Sequence, residues 1–131
     1  MTIPRFHQPL GTLERAVMEI VWISPPSTAR EVCQRMTGRS ERAYTTVMTT
    51  MDRLHRKGLL TREKVGLAWR YAAALPKAAF ERSLADGLAS DILAAHGENA
   101  LAAFVDAAAE FDEQLLDRLR QLIEQRRQGP S

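Results

Sequence analysis

Apolar residues recur at helical spacing along most of the chain, and the runs break at proline and glycine. Leu13, Ala16, Val17, Ile20 and Val21 share one face of a first predicted helix, with Thr12 as its N-cap and Glu14 in the first turn, where the helix dipole favours an anion. Trp22 and Ile23 close it before Ser24-Pro25-Pro26-Ser27, which cannot continue a helix. Thr28-Ala29-Arg30-Glu31 has the capping-box form and opens a second helix, with Ala29, Val32, Cys33 and Met36 inward and a stop at Thr37-Gly38. A polar turn is expected from Arg39 to Arg42.

The third helix is predicted from Tyr44 to Lys57, with Gly58 as its stop. Val47, Met51 and Leu54 fall at i, i+4, i+7 and form a buried stripe, with Thr50 beside it. Thr45, Thr46, Thr49, Arg53 and Arg56 occupy the opposite face. Glu and Lys would make a better surface helix, so the threonines need a reason. Leu59 to Val65 and Ala68 to Ala72 then read as two short strands about a tight turn at Gly66, with Arg62, Lys64 and Arg70 on or near it. Three helices followed by a basic hairpin make a winged helix-turn-helix.

Pro76 suits the first turn of a further helix, in which Phe80, Leu84, Leu88 and Ile92 recur every fourth residue. Gly97 interrupts it. Leu101, Phe104, Val105 and Ala108 mark a shorter helix, and Phe111, Leu115, Leu116, Leu119, Leu122 and Ile123 a third. Three such helices bury too little surface alone to offset chain entropy, so the segment is read as a dimerisation module with an isologous interface. Leu84, Leu88, Phe111, Leu115 and Leu119 are its candidate interface residues. The fold class is thus mainly α. Residues 1–9 are a loose arm, 10–75 a winged helix-turn-helix with a two-stranded wing, 76–127 a three-helix dimerisation module and 128–131 a tail.

Charge sharpens this division. Residues 1–75 hold twelve Lys and Arg against six Asp and Glu, whereas residues 76–131 hold six against ten, although the whole chain of 131 residues carries only +2. A basic first half fits a polyanionic partner and an acidic, Ala- and Leu-rich second half fits a protein partner. The longest apolar run, Ala100 to Val105, is far below the roughly 18 residues that span a bilayer, and no signal segment opens the sequence, so no membrane insertion and a cytoplasmic location are expected. The single Cys33 is a small core residue that fits a reducing compartment. His7, His55 and His96 are too scattered to form a metal set, and no nucleophile with its base, carboxylate pair or phosphate-cradling glycine loop is visible. Neither enzyme, metal nor cofactor is expected.

In a helix-turn-helix the second helix enters the major groove and the first crosses the backbone. Here the first is about residues 28–37 and the second about 44–57. Thr45, Thr46 and Thr49 are the candidates for base edges. Arg42, Arg53, Arg56, Lys57, Arg62, Lys64 and Arg70 are the candidates for phosphates, with the three on the hairpin also able to reach a minor groove.

The run Leu13 to Trp22, the segment Ala43 to Leu60 and Trp69-Arg70-Tyr71 resemble the BlaI/MecI penicillinase-repressor family, winged-helix regulators of β-lactam resistance genes. The resemblance covers roughly residues 10–125 and is most specific in the third helix. It implies a homodimer that binds a palindromic operator in double-stranded DNA, blocks transcription, and is released when a membrane-sensor protease triggers cleavage in the dimerisation domain. It carries Thr45, Thr46 and Thr49 onto the base-contacting part of the recognition helix, and Arg53 onto a position that supports backbone contact. Cleaved members have an Asn-Phe bond; the aligned pair here is Ala103-Phe104, which keeps the phenylalanine and lacks the asparagine. The Cys-rich CopY branch is set apart, because the second half of this chain holds no cysteine. From a different class, a winged-helix adaptor that binds protein without touching nucleic acid remains the alternative.

Overall fold

The computed structural model describes residues 6–36 and 41–129, with side chains of the third helix described from Tyr44 onward. Its elements run α1 (Thr12–Ile23), β1 (Ser27–Thr28), α2 (Ala29–Arg35), α3 (Glu41–Arg56), β2 (Leu60–Val65), β3 (Ala68–Ala73), α4 (Lys77–Phe111) and α5 (Gln114–Arg127). The three strands form one antiparallel sheet in the order β1-β3-β2.

Helix α1 begins at Thr12, the expected cap, so the cap itself falls one residue earlier. Gly11 is the N-cap rather than Thr12, because the Glu14 carboxylate reaches back to accept the Gly11 N–H at 3.0 Å while the Gly11 carbonyl accepts the Arg15 N–H at 2.9 Å. The helix ends where Ser24 turns its hydroxyl back onto the Ile20 carbonyl at 2.7 Å, just before the two prolines. The capping box of α2 is complete: the Thr28 hydroxyl accepts the Glu31 N–H at 3.2 Å, and the Glu31 carboxylate accepts the Thr28 N–H at 2.8 Å. That backbone bond, ahead of the opposing effect of desolvation, holds the Glu31 carboxyl below its ordinary range. Helix α2 closes at Arg35, with the Met36 N–H donating to the Cys33 carbonyl; Thr37 and Gly38, the expected stop, lie outside the described residues. Of the expected turn from Arg39 to Arg42, Glu41 and Arg42 belong to α3, while Arg39 and Ser40 lie outside the described residues.

Helix α3 ends in a Schellman arrangement. The Leu59 N–H donates to the Leu54 carbonyl at 3.0 Å and the Gly58 N–H to the His55 carbonyl at 3.1 Å, with Gly58 at φ 90°. Leu54 and Leu59, both buried, bracket that turn, so the helix is joined to the hairpin through side chains in the core. The hairpin pairs Val65 with Ala68 across Gly66 and Leu67. Gly66 takes φ 66° while Leu67 stays at negative φ, as the first and second positions of a type II′ turn require. Beyond the two expected strands, Ser27 and Thr28 add a third beside Tyr71 and Arg70.

The core lies under this unit: Val17 and Met18 of α1, Val32 of α2, Val47, Met51 and Leu54 of α3, Leu59, and Leu60 and Tyr71 of the hairpin. The start of α4 joins it. Phe80 is 2% exposed and packs against Phe6 and Trp22 at ring separations of 5.1 and 5.8 Å. The Trp22 indole donates to the Leu75 carbonyl at 3.1 Å, and Lys77 pairs with Glu19 at 2.9 Å. Leu84 packs on the same core. The compact unit therefore runs to Leu88, beyond the division expected near Leu75 and Pro76.

The second unit, from Ala89 onward, is built differently. Helix α4 breaks at Gly97 (φ 42°, ψ −109°), a conformation that glycine reaches without steric cost, and α5 follows Phe111 after a short turn. No described residue after Gly87 is buried.

Truncating Phe80 to alanine is expected to lower the stability of the N-terminal unit by about 3–5 kcal/mol, the usual cost of emptying a buried phenylalanine site. A chain ended after Leu75 should likewise denature at lower urea concentration than one ended after Leu88. Equal midpoints would place Phe80 outside the folding unit.

Candidate nucleic-acid interface

The rotation of α3 is set from below. With Val47, Met51 and Leu54 in the core, Thr45, Thr46, Thr49, Arg53 and Arg56 are all exposed, as the spacing predicts. Thr50 is the one threonine of this run turned inward, its hydroxyl donating to the Thr46 carbonyl at 2.8 Å. Thr45, Thr46, Thr49, Arg53 and Lys57 line a groove of about 530 Å³ whose other wall is the N-terminus of α1. The side chain of Arg42 lies outside the described residues.

The basic residues divide by what they touch. Lys57 is committed to α1, with its ammonium 2.7 Å from the Glu14 carboxylate. Glu14 is 7% exposed. Burial pushes its carboxyl upward, but the hydrogen bonds from Lys57 and from the Gly11 N–H, with the charges of Lys57 and Arg53, outweigh burial and hold it below its ordinary value. Arg56 and Arg62 both reach Asp52, at 3.1 and 2.9 Å. Arg62 also donates to the Tyr71 hydroxyl at 3.4 Å, and this bond followed by the Asp52 bond keeps its guanidinium firmly protonated.

Strand alternation puts Arg62, Lys64, Trp69 and Tyr71 on one face of the hairpin and Arg70 on the other. The Arg62 guanidinium sits 4.3 Å from the Trp69 ring centre and the Lys64 ammonium 4.8 Å from it, so one partly exposed indole carries both cations. Arg70 donates to the Pro26 carbonyl at 2.9 Å, joining the wing to the turn before α2. Arg30 of α2, which the sequence pattern did not single out, lies 4.3 Å over the Tyr44 ring at the start of the described part of α3.

The structure thus brings Thr45, Thr46, Thr49, Arg53 and Lys57 into one groove and gathers Arg62 and Lys64 on the wing. Asp52, Glu14 and Trp69 organise these cations. In the sequence reading Glu14 has a place as a first-turn acid and Trp69 as part of the run Trp69-Arg70-Tyr71, and none of the three is assigned a part in placing cations. The Asp52–Arg62 pair joins two elements, and the placing of Arg62 and Lys64 on Trp69 depends on the register of the hairpin, neither of which helical periodicity reports.

The remaining candidates lie in α4 and α5. Leu84 serves the N-terminal core and Leu88 is half-buried. Phe111 is 87% exposed, and Leu115 is exposed as well. Leu119 lines an apolar groove of about 640 Å³ with Leu101, Phe104, Val105, Leu116 and Ile123. Ala103 and Phe104 fall inside helical backbone, with Phe104 62% exposed. Among the described residues no group of three or more His, Cys, Asp or Glu is placed to hold a metal ion, and no helix is long and apolar enough to cross a membrane.

The sequence matches the family model described as Penicillinase repressor over residues 10–125. It is also 45% identical over 64 residues to proteins named Transcriptional regulator BlaI from two strains of Mycobacterium tuberculosis. The aligned segment is 48% of this chain and 46% of those proteins, so the match spans about half the length of the curated relatives.

The depressed Glu14 carboxyl makes a pH prediction. An unfolded chain holds that proton up to the ordinary value of about 4.3, whereas the folded protein releases it at lower pH, so folding is favoured by the pair above the ordinary value and loses that favour as pH falls through the folded one. Glu14→Gln should therefore lower the urea midpoint at pH 7, and its deficit against the native chain should shrink through the acid range. A deficit independent of pH would remove the Glu14 carboxylate from the linkage.

Proposed function

The chain belongs to the penicillinase repressor family, and on that premise we propose that it is a homodimeric transcriptional repressor that binds a palindromic operator in double-stranded DNA. One observation carries the reading: a helix with its apolar side in the core turns three threonines outward into a groove beside Arg53, next to a basic hairpin. An α-helix fits the B-DNA major groove, and hydroxyls with methyl groups can address base edges and the thymine methyl. Thr45, Thr46 and Thr49 read sequence in this proposal, while Arg53, Arg56 and Lys64 meet phosphates. Lys57 and Arg70 add positive potential from positions already tied to Glu14 and Pro26. The named relatives are transcriptional regulators, which supports the same role here.

Dimerisation rests on the second unit. Its helices leave Leu101, Phe104, Val105, Phe111, Leu122 and Ile123 exposed and bury no described residue, so a second copy is the natural cover. A two-fold dimer then pairs two reading helices with two half-sites, and linked binding multiplies the affinity of one. Release by an inducing signal, through antibiotic sensing and a membrane-sensor protease, completes the reading; cleavage between Ala103 and Phe104 would require that turn of α4 to unwind. The repressor acts in the cytoplasm.

The test begins with duplexes selected by the full-length protein from a random-sequence library. The selected sites should show two-fold symmetry. Thr46→Ala should cut the affinity ratio between selected and unselected duplexes by about fivefold to tenfold, the low end of the range for one lost base contact. Arg53→Gln should weaken both alike and reduce the slope of log K against log salt by about 0.9, one phosphate's worth. Failure to select any duplex at low salt, with a protein partner retained instead, would favour the adaptor.

Sedimentation of the full chain at micromolar concentration should show a dimer, and Leu119→Glu should shift it toward monomer. A native monomer at that concentration would contradict the proposed assembly.

A further inference from the structure

An acid on a helix that faces a polyanion weakens binding through charge repulsion, so Asp52 asks for a compensating role. It lies three residues after Thr49 and four before Arg56, on the flank of the exposed face of α3. Both of its oxygens are used: Oδ2 forms an ion pair with Arg56 at 3.1 Å and Oδ1 accepts from Arg62 at 2.9 Å. The two guanidinium partners differ in setting. The Arg56 side chain is 79% exposed, whereas that of Arg62 is 21% exposed and is enclosed between Asp52, the Tyr71 hydroxyl and the face of Trp69.

Resting on the DNA-binding reading above, we propose that Asp52 is a positioning residue that fastens the wing to the recognition helix, and that Arg62 is its structural partner and not a phosphate ligand. The hairpin otherwise meets α3 through the core residues at its base, Leu60 and Tyr71, while its outer half is exposed. The Asp52–Arg62 bond is the tie above that base. Because Arg62 also supports the indole that carries Lys64, the tie sets where the free wing cation stands relative to the threonines. The cluster keeps a net positive charge, since one carboxylate is shared by two guanidinium groups. The outward potential of α3 therefore stays positive despite the acid.

The full-length chain, Asp52→Asn, Asp52→Glu, Arg62→Gln and the Asp52→Asn/Arg62→Gln double variant test this. Without DNA, amide exchange across Arg62 to Arg70 and the Trp69 indole resonance report the tie directly. Asp52→Asn should speed hairpin exchange by about threefold to tenfold and shift the indole, while the longer carboxylate of Asp52→Glu should restore most of the native behaviour. With DNA, Asp52→Asn and Arg62→Gln should each lower affinity for a duplex selected by the native chain by a similar factor, with the double variant no worse than either alone. The salt slope should stay unchanged in Arg62→Gln. A slope reduced by about 0.9 in that variant would make Arg62 a phosphate ligand and overturn the proposal. Native hairpin exchange and indole resonance in Asp52→Asn would overturn it equally. If the native chain selects no duplex, the DNA-binding reading fails, and the exchange measurements still decide whether the tie exists.

Discussion

The buried stripe of α3 is the constraint on which the rest of the N-terminal unit depends. Val47, Met51 and Leu54 are fully enclosed, in a core to which elements before and after the helix in sequence both contribute. Rolling the helix by one residue position, about 100° about its axis, would lift them into water and bring threonine hydroxyls into an apolar core. Hydrophobic burial therefore does more than hold the domain together. It fixes which side chains are offered outward, and the polar surface is precise because the apolar one has no alternative.

Acidic residues complete the surface in an indirect way. Glu14 and Asp52 lie among cations, and each draws side chains from different elements to itself: Lys57 onto α1 in one case, Arg56 and Arg62 together in the other. A surface made of cations alone would repel itself and leave long side chains to wander, whereas a few acids organise it and leave a net positive field. Trp69 has a similar effect on the wing, where its ring gives two neighbouring cations a shared platform. The number of basic residues thus overstates the number of groups ready for a new partner.

Local signals in the sequence were easy to read. The capping box at Thr28 and Glu31, the stop at Gly58, the turn at Gly66 and the stripe of Val47, Met51 and Leu54 each involve residues within a few positions of one another, so spacing alone identifies them. The misreadings have a common physical origin. The strand at Ser27 and Thr28 is too short to show alternation and exists only because β3 offers it a free edge. Phe80 shares the four-residue spacing of Leu84 and Leu88, yet its ring is claimed by Trp22 and Phe6 far upstream, so the compact N-terminal unit extends to Leu88. At the candidate site, the exposed threonine face was legible from periodicity, whereas the pairing of Lys57 with Glu14 and of Arg62 with Asp52 depends on tertiary neighbours 43 and 10 positions away.

The junction after α3 has a consequence of its own. Helix termination and strand entry share the same few residues: Gly58 reverses the chain, Leu59 ties back to Leu54, and Leu60 already pairs with Ala73. There is no spare length between the two elements and therefore no slack. Most surface loops in proteins tolerate gains and losses of residues as lineages diverge, but here a single added residue would turn every hairpin side chain to the opposite face. This junction is a place where the chain can change in composition but not in length, and divergence of wing and reading helix must proceed by substitution alone.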